Sequence, residues 1–191
     1  MSGIYINIPF CKEACHYCDF PFSTSMKKKD EMVLALAKEI QMRKSEFENE
    51  VIETIYFGGG TPSILQISEI QLLIDEVYKN YKVVENPEIT LEANPGTVEA
   101  ARFAAFREAG INRISLGIQS FDDARLRALG RIHDSIEARA AIDLALRHFD
   151  NVNLDLMYAL PGQTLADAAQ DVDTLLSFGT PHLSCYQLTL E

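Results

Sequence analysis

Six short, β-prone apolar runs recur along this chain with helical patterns between them, and this alternation limits the folds open to it. The runs span 4–8 (IYINI), 53–57 (ETIYF), 88–92 (EITLE), 113–118 (RISLGI), 152–157 (VNLDLM) and 182–188 (HLSCYQL). Residues 29–47 place Met32, Val33, Leu36, Ile40 and Phe47 at helical spacing. Residues 67–80 open on Ser68 and Glu69, a capping pattern, and repeat Ile70, Leu73, Ile74 and Val77. Further helices are expected over 97–109, from Thr97 to a stop at Gly110, over 135–148 from Ser135, and over 164–178 from Thr164 to Gly179. Strands separated by helices give parallel βαβ units with right-handed crossovers. No Rossmann glycine fingerprint follows the first run. A partial or closed α/β barrel is therefore expected, with reactive residues at the C-terminal ends of its strands.

The loop after the first strand carries Cys11, Cys15 and Cys18, spaced C-x3-C-x2-C, with no fourth cysteine nearby. Three thiolates within eight residues match three corners of an iron–sulfur cube. A [4Fe–4S] cluster held by three cysteines keeps one iron open, and an open position is what a catalytic metal site needs. Two other readings stand beside it. Structural zinc could take His16 as fourth ligand, although His16 directly follows Cys15 and neighbours rarely turn onto one ion. The thiols could also be reduced and structural. The spacing favours the cluster. Cys185, alone in an apolar run, reads as a buried small hydrophobe.

Polar residues mark the other strand ends. Gly58-Gly59-Gly60-Thr61-Pro62 follows the second strand and lets backbone approach a ligand closely. Glu92 ends the third strand, Gln119 the fourth, and Asp155 interrupts the fifth. A carboxylate in a buried strand is costly unless it is paired or hydrogen-bonded. Arg131, in Gly130-Arg131-Ile132-His133, is a candidate partner for Glu92 and Asp155. Their shared position on successive strands points to one cavity.

A net charge of −11 disfavours a sequence-independent nucleic-acid binder. No run approaches the ~18 apolar residues of a membrane span. The first residues show no basic-then-apolar export pattern, and with the thiols this indicates a reducing cytoplasm. One domain is expected over 1–191. Within it, residues 1–95 hold eight lysines and one arginine, whereas residues 96–191 hold no lysine and eight arginines. Net charge hardly changes across this seam, so it suggests a chimeric join near Pro95-Gly96 rather than a functional boundary.

Taken together, Cys11-x3-Cys15-x-Tyr17-Cys18, GGGTP and the strand-end polar residues resemble the radical S-adenosylmethionine (SAM) superfamily. More narrowly, YINIPFC, YFGGGTPS, LEANPGT, ISLGIQSF, LGRIH and NLDLMYALPGQT are similar to the oxygen-independent coproporphyrinogen oxidase group, over essentially the whole chain. The resemblance implies a partial (β/α)6 barrel of parallel strands. It implies a [4Fe–4S] cluster on Cys11, Cys15 and Cys18, with SAM on the fourth iron. Reductive cleavage of SAM would yield a 5′-deoxyadenosyl radical. Tyr5 and the backbone around Gly59, Gly60 and Thr61 would meet the methionine part of SAM, and Glu92 the ribose. Tyr17 would pack near the cofactor. Gln119, Arg131 and Asp155 match positions that line a second SAM site in the oxidase.

The oxidase branch carries a further cysteine two residues beyond the triad, where this chain has Cys18-Asp19-Phe20. That form is similar to the haem chaperone branch, whose members are thought to bind haem and deliver it to apoproteins. The expected function is thus a haem chaperone binding haem and SAM, with an electron donor and haem-accepting apoproteins as partners. The alternative is an oxidoreductase acting on coproporphyrinogen III. Asn7 stands where relatives commonly carry histidine, and Pro21 where a polar residue is common. Relatives continue beyond the sixth strand through a last helix and a C-terminal domain. On this basis Leu183, Tyr186 and Leu188 are expected to be partly uncovered.

Overall fold

A computed structural model describes residues 2–47, 50–97 and 100–189. Six strands form a single parallel sheet in sequence order: β1 (Ser2–Ile8), β2 (Ile52–Gly59), β3 (Val83–Ala93), β4 (Arg113–Gln119), β5 (Asn151–Tyr158) and β6 (His182–Gln187). No pairing joins β1 to β6 among the described residues, so the barrel is partial, as expected. The crossovers carry α1 (Lys29–Met42), α2 (Ile67–Asn80), α3 (Ala100–Glu108), α4 (Asp123–Ala128), α5 (Ser135–His148) and α6 (Leu165–Leu176).

The strand register explains why the strands are not uniformly apolar. Ile6, Phe57, Leu91, Ile114 and Val152 lie side by side across five strands, and all are buried. They share the face that the helices cover, and that burial is the main favourable term in the fold. The adjacent row, one residue further along, is Glu92, Ser115, Asn153 and His182. Alternation thus sends one set of side chains to the helices and a polar set to the concave face.

Local corrections have physical causes. The first helix stops at Met42 instead of reaching residue 47. A 3₁₀ turn, Lys44–Phe47, then brings the Phe47 ring edge-on to Tyr81 at 5.8 Å. Gln66, not Ser68, caps α2, and the Glu69 carboxylate accepts from the Gln66 N–H at 2.7 Å. The third helix, expected to start at Thr97, is described from Ala100, with residues 98–99 outside the described residues. Thr97 closes a 3₁₀ turn, Pro95–Thr97, that contains the compositional seam. Helix α4 is absent from the sequence reading because its six residues are too few to show a period. Asp122 caps it, accepting from the Arg125 N–H at 2.8 Å.

Strand β6 departs most from expectation. Cys185 is exposed, not buried, because it faces outward on an edge strand that no described element covers. Leu183 pairs in register with Leu154 and sits on that outer face, 42 % exposed. Tyr186 instead lines the concave face. Leu188 packs on Leu129, Met157 and Leu160.

Candidate functional site

The C-terminal strand ends and the cysteine loop enclose a cavity of about 1150 Å³. The loop is held from three sides. The Cys11 N–H donates to Ser23 O at 3.1 Å, and the Ser23 N–H to Pro9 O at 2.8 Å. The Thr61 N–H donates to Phe10 O at 2.8 Å. On the far side, the His16 N–H donates to Leu129 O at 3.0 Å, and His16 Nδ1 lies 3.0 Å from Ala128 O. His16 is therefore engaged with the end of α4 and not turned toward the thiols.

Cys11, Cys15 and Cys18 are each partly buried. Burial pushes the Cys11 thiol up, and the nearby Cys18 and Cys15 add to this, while a Thr61 hydrogen bond opposes it. Yet among the described residues no trio of His, Cys, Asp or Glu converges on a single ion. The donor set is three cysteine thiols with His16 turned to α4, one ligand short of a closed zinc site, and it fits a [4Fe–4S] cluster with one iron left to another ligand.

The glycine run is required by packing. A Cβ on Gly58 would meet the Tyr5 hydroxyl at 2.5 Å, and one on Gly60 would meet Phe10 O at 2.7 Å and Cys11 Sγ at 2.9 Å. Gly59 has φ +108°. The Gly59 N–H donates to Glu92 Oε2 at 3.2 Å, the Gly60 N–H to Ile8 O at 2.9 Å, and Thr61 is committed as above. All three N–H groups are thus used within the protein, and the Thr61 carbonyl accepts from the Ile64 N–H at 3.0 Å.

Glu92 also accepts from Tyr56 Oη at 2.8 Å, and the Tyr56 ring stacks on Tyr5 at 5.5 Å. Burial raises the Glu92 carboxyl, against the Tyr56 hydrogen bond. Asp155 accepts from Asn153 Nδ2 at 2.7 Å and lies 3.3 Å from Ser115 Oγ. Burial pushes it up to about 6. Neither carboxylate pairs with Arg131, contrary to the sequence expectation. The Arg131 guanidinium instead donates through Nη2 to Gly117 O at 2.7 Å, with Nη1 3.4 Å from Cys15 Sγ and 3.3 Å from Tyr17 Oη. Burial pushes the Tyr17 phenol up to about 12.

Gln119 has φ +69°, the left-handed region, where a non-glycine residue is strained. His133 braces the same corner, with Nε2 3.2 Å from Ile118 O and Nδ1 3.2 Å from Asn94 Oδ1. Burial holds its imidazole down to about 4.

All twelve residues singled out from sequence line this one cavity. Tyr56, Ser115, Asn153 and Ser184, which support the two carboxylates, were not singled out. Their signal was available: polar residues at every second position of strands otherwise rich in isoleucine and leucine.

A partial parallel barrel with a three-cysteine loop at its open end defines a class of cluster-bearing α/β proteins. The Radical SAM superfamily profile matches residues 5–175, and the chain belongs to that superfamily. It is 43 % identical to "Heme chaperone HemW" of Haemophilus influenzae, over 99 % of this chain and 51 % of that protein. With the Escherichia coli protein of the same name the identity is 44 %, with the same coverage. The chain therefore spans about half the length of the curated relatives it matches. Among solved structures, the coproporphyrinogen III oxidase (HemN) of Escherichia coli superposes with TM-score 0.88 at 28 % identity, covering 98 % of this chain and 44 % of that one. The structure described as native anSMEcpe with bound AdoMet shares the fold, with TM-score 0.70 at 16 % identity over 98 % of this chain and 51 % of that one.

Proposed function

We propose that residues 1–191 form the cluster- and SAM-binding core of a haem chaperone. The observation that carries this reading is the cysteine loop: three neighbouring thiols at the cavity mouth, followed by Asp19 and Phe20 where the oxidase pattern would place a further cysteine. Cys11, Cys15 and Cys18 would hold a [4Fe–4S] cluster, which with SAM supplies one-electron cleavage chemistry when bound. The carbonyl oxygens of the glycine run suit the amino group of SAM, because the N–H groups beside them are already committed. Glu92, fixed by Tyr56 and Gly59, presents acceptors for ribose hydroxyls. Asp155 and Gln119 line the same cavity and would face a second ligand. Haem delivery would require an electron donor and accepting apoproteins in the cytoplasm. No helix among the described residues is long and apolar enough to cross a membrane.

The likeness to coproporphyrinogen III oxidase supports a second reading, a radical enzyme acting on a porphyrinogen. One experiment separates the two. Protein of full native length, reconstituted anaerobically, is incubated with haem and, separately, with coproporphyrinogen III and a reductant. The chaperone reading expects stable haem binding and no decarboxylated product, and product formation would reverse the ranking. About four irons per chain are expected in the parent. Cys11→Ala, Cys15→Ala and Cys18→Ala should each abolish loading, while Cys185→Ala should not. Full iron retention in any triad variant would remove the cluster assignment.

A further inference from the structure

The glycine run leads directly into a 3₁₀ turn, Pro62–Ile64, in which Pro62 and Ser63 are both buried. The turn's own bonds run from the Ile64 N–H to Thr61 O at 3.0 Å and from the Leu65 N–H to Pro62 O at 3.1 Å. The carbonyls of Ser63 and Leu65 are met by a side chain from the next βα unit. Arg102, on α3, donates through Nη2 to Ser63 O at 2.6 Å and to Leu65 O at 2.8 Å. One nitrogen with two hydrogens thus clamps both carbonyls. The guanidinium carbon lies 5.2 Å from the centre of the buried Phe106 ring. Arg102 Nε is buried and has no partner among the described residues, so the group is held by Nη2 and the ring.

A second contact pins the same turn beside the end of β3. Ser63 Oγ lies 2.9 Å from Thr97 Oγ1, which itself donates to Asn94 O at 2.8 Å. A hydroxyl has one hydrogen, so Ser63 donates and Thr97 accepts. Thr97 lines the cavity, whereas Arg102 is not among its lining residues.

The clamp acts on the glycine run through chain continuity. The Gly60 and Thr61 N–H groups tie the run to Ile8 O and Phe10 O on one side. Arg102 and Thr97 tie the turn that follows it on the other. Without Arg102, two carbonyls of a buried turn would lose their donor, and a shift toward water is the way to satisfy them. A run held from one side only is free to tilt.

We infer that Arg102 is a positioning residue for SAM: it touches no ligand, and it fixes where the run from Gly58 to Thr61 meets the methionine part. This rests on the SAM-binding reading above.

The test uses protein of full native length, reconstituted anaerobically. SAM is titrated against the EPR signal of the reduced cluster, with iron per chain and urea stability measured in parallel. Arg102→Met should raise the SAM Kd about tenfold, because misplacing a group by about 1 Å can cost about a hundredfold. Iron content should stay at the parent value. Arg102→Lys keeps a cationic donor but loses the planar fork, and should recover part of the loss. Ser63→Ala should weaken SAM in the same direction, by about threefold. Asn112→Ala is the control. Asn112 clamps backbone at the opposite ends of the strands, where its Oδ1 accepts from the Ile89 N–H at 2.8 Å and its Nδ2 donates to Pro87 O at 2.7 Å. It should lose stability with no change in SAM Kd. A parent Kd in Arg102→Met would overturn the inference. So would equal Kd shifts in Arg102→Met and Asn112→Ala, which would mean general loosening. Should Arg102→Met fail to fold or to load iron, Arg102→Lys and Ser63→Ala decide, and parent Kd values in both would overturn it equally. A parent protein that binds no SAM removes the functional reading itself, whereas a SAM-binding parent with insensitive variants removes only this one.

Discussion

Asp171 on α6 accepts from Ser120 Oγ at the end of β4 at 2.9 Å, although 51 positions separate them. Its other oxygen accepts from the Phe121 N–H at 3.1 Å. The carboxylate is 4 % exposed, so it acts as a buried anchor for the turn that follows Gln119. Asp171→Ala would leave two donors unsatisfied. A loss of about 2–4 kcal/mol is expected, since each buried donor left unmade costs about 1–3 kcal/mol. Urea denaturation measures it, and a loss below about 1 kcal/mol would show that water replaces the anchor.

Gly60→Ala tests why the glycines are needed. Two of the three nearest atoms to the added methyl are backbone oxygens, which cannot swing aside. The cysteine loop must shift, at about 1–3 kcal/mol. Gly162→Ala is the control, because its φ of +73° carries strain while nothing lies within 4 Å of the added Cβ. Both variants should be less stable, but only Gly60→Ala should lose iron faster on exposure to a chelator. Equal rates would mean that the Gly60 contact does not position the loop.

Asp155 gives a pH-dependent prediction. Its folded pKa of about 6 lies above the ordinary value of 3.8, so the folded protein binds the proton more tightly than the unfolded chain does. The resulting penalty is absent at pH 4, grows as pH rises through 6, and is then complete. Its ceiling is about 3 kcal/mol at 1.36 kcal/mol per pKa unit. Asp155→Asn should therefore melt near the parent temperature at pH 4 and above it at pH 7.5. His133 has the opposite sign: its imidazole is held near 4, so its contribution is present above about 6.5 and lost as pH falls toward 4. Because His133 is common to both proteins, the difference between their melting curves isolates Asp155. A difference independent of pH would show that Asp155 is ionised throughout.

The strand–helix alternation was legible because each unit is local. Three of the five expected helices have described boundaries within two residues of the reading, the one expected from Thr97 is described from Ala100, and the one over 29–47 fails only where Phe47 turns back onto Tyr81. The glycine stops were legible too, since Gly110 and Gly179 adopt the positive φ that ends a helix without a Cβ clash. Cys185 was misread because burial of an apolar run depends on what lies across the sheet. Tyr186 is uncovered as expected, 55 % exposed, but it lines the concave face, because the face a residue takes depends on register with β5.

The sequence by itself determined the alternation of elements, the cysteine spacing and the polar residues that interrupt the strands. These rest on backbone preference and side-chain period, which act between near neighbours. Only the tertiary structure decided what those residues do to one another. It joined Arg131 to Cys15 instead of to Glu92 or Asp155, committed the Gly59, Gly60 and Thr61 N–H groups within the protein, and stacked Tyr5 on Tyr56. Hydrogen bonds act over about 3 Å, and chain folding alone brings groups more than a hundred positions apart to that distance.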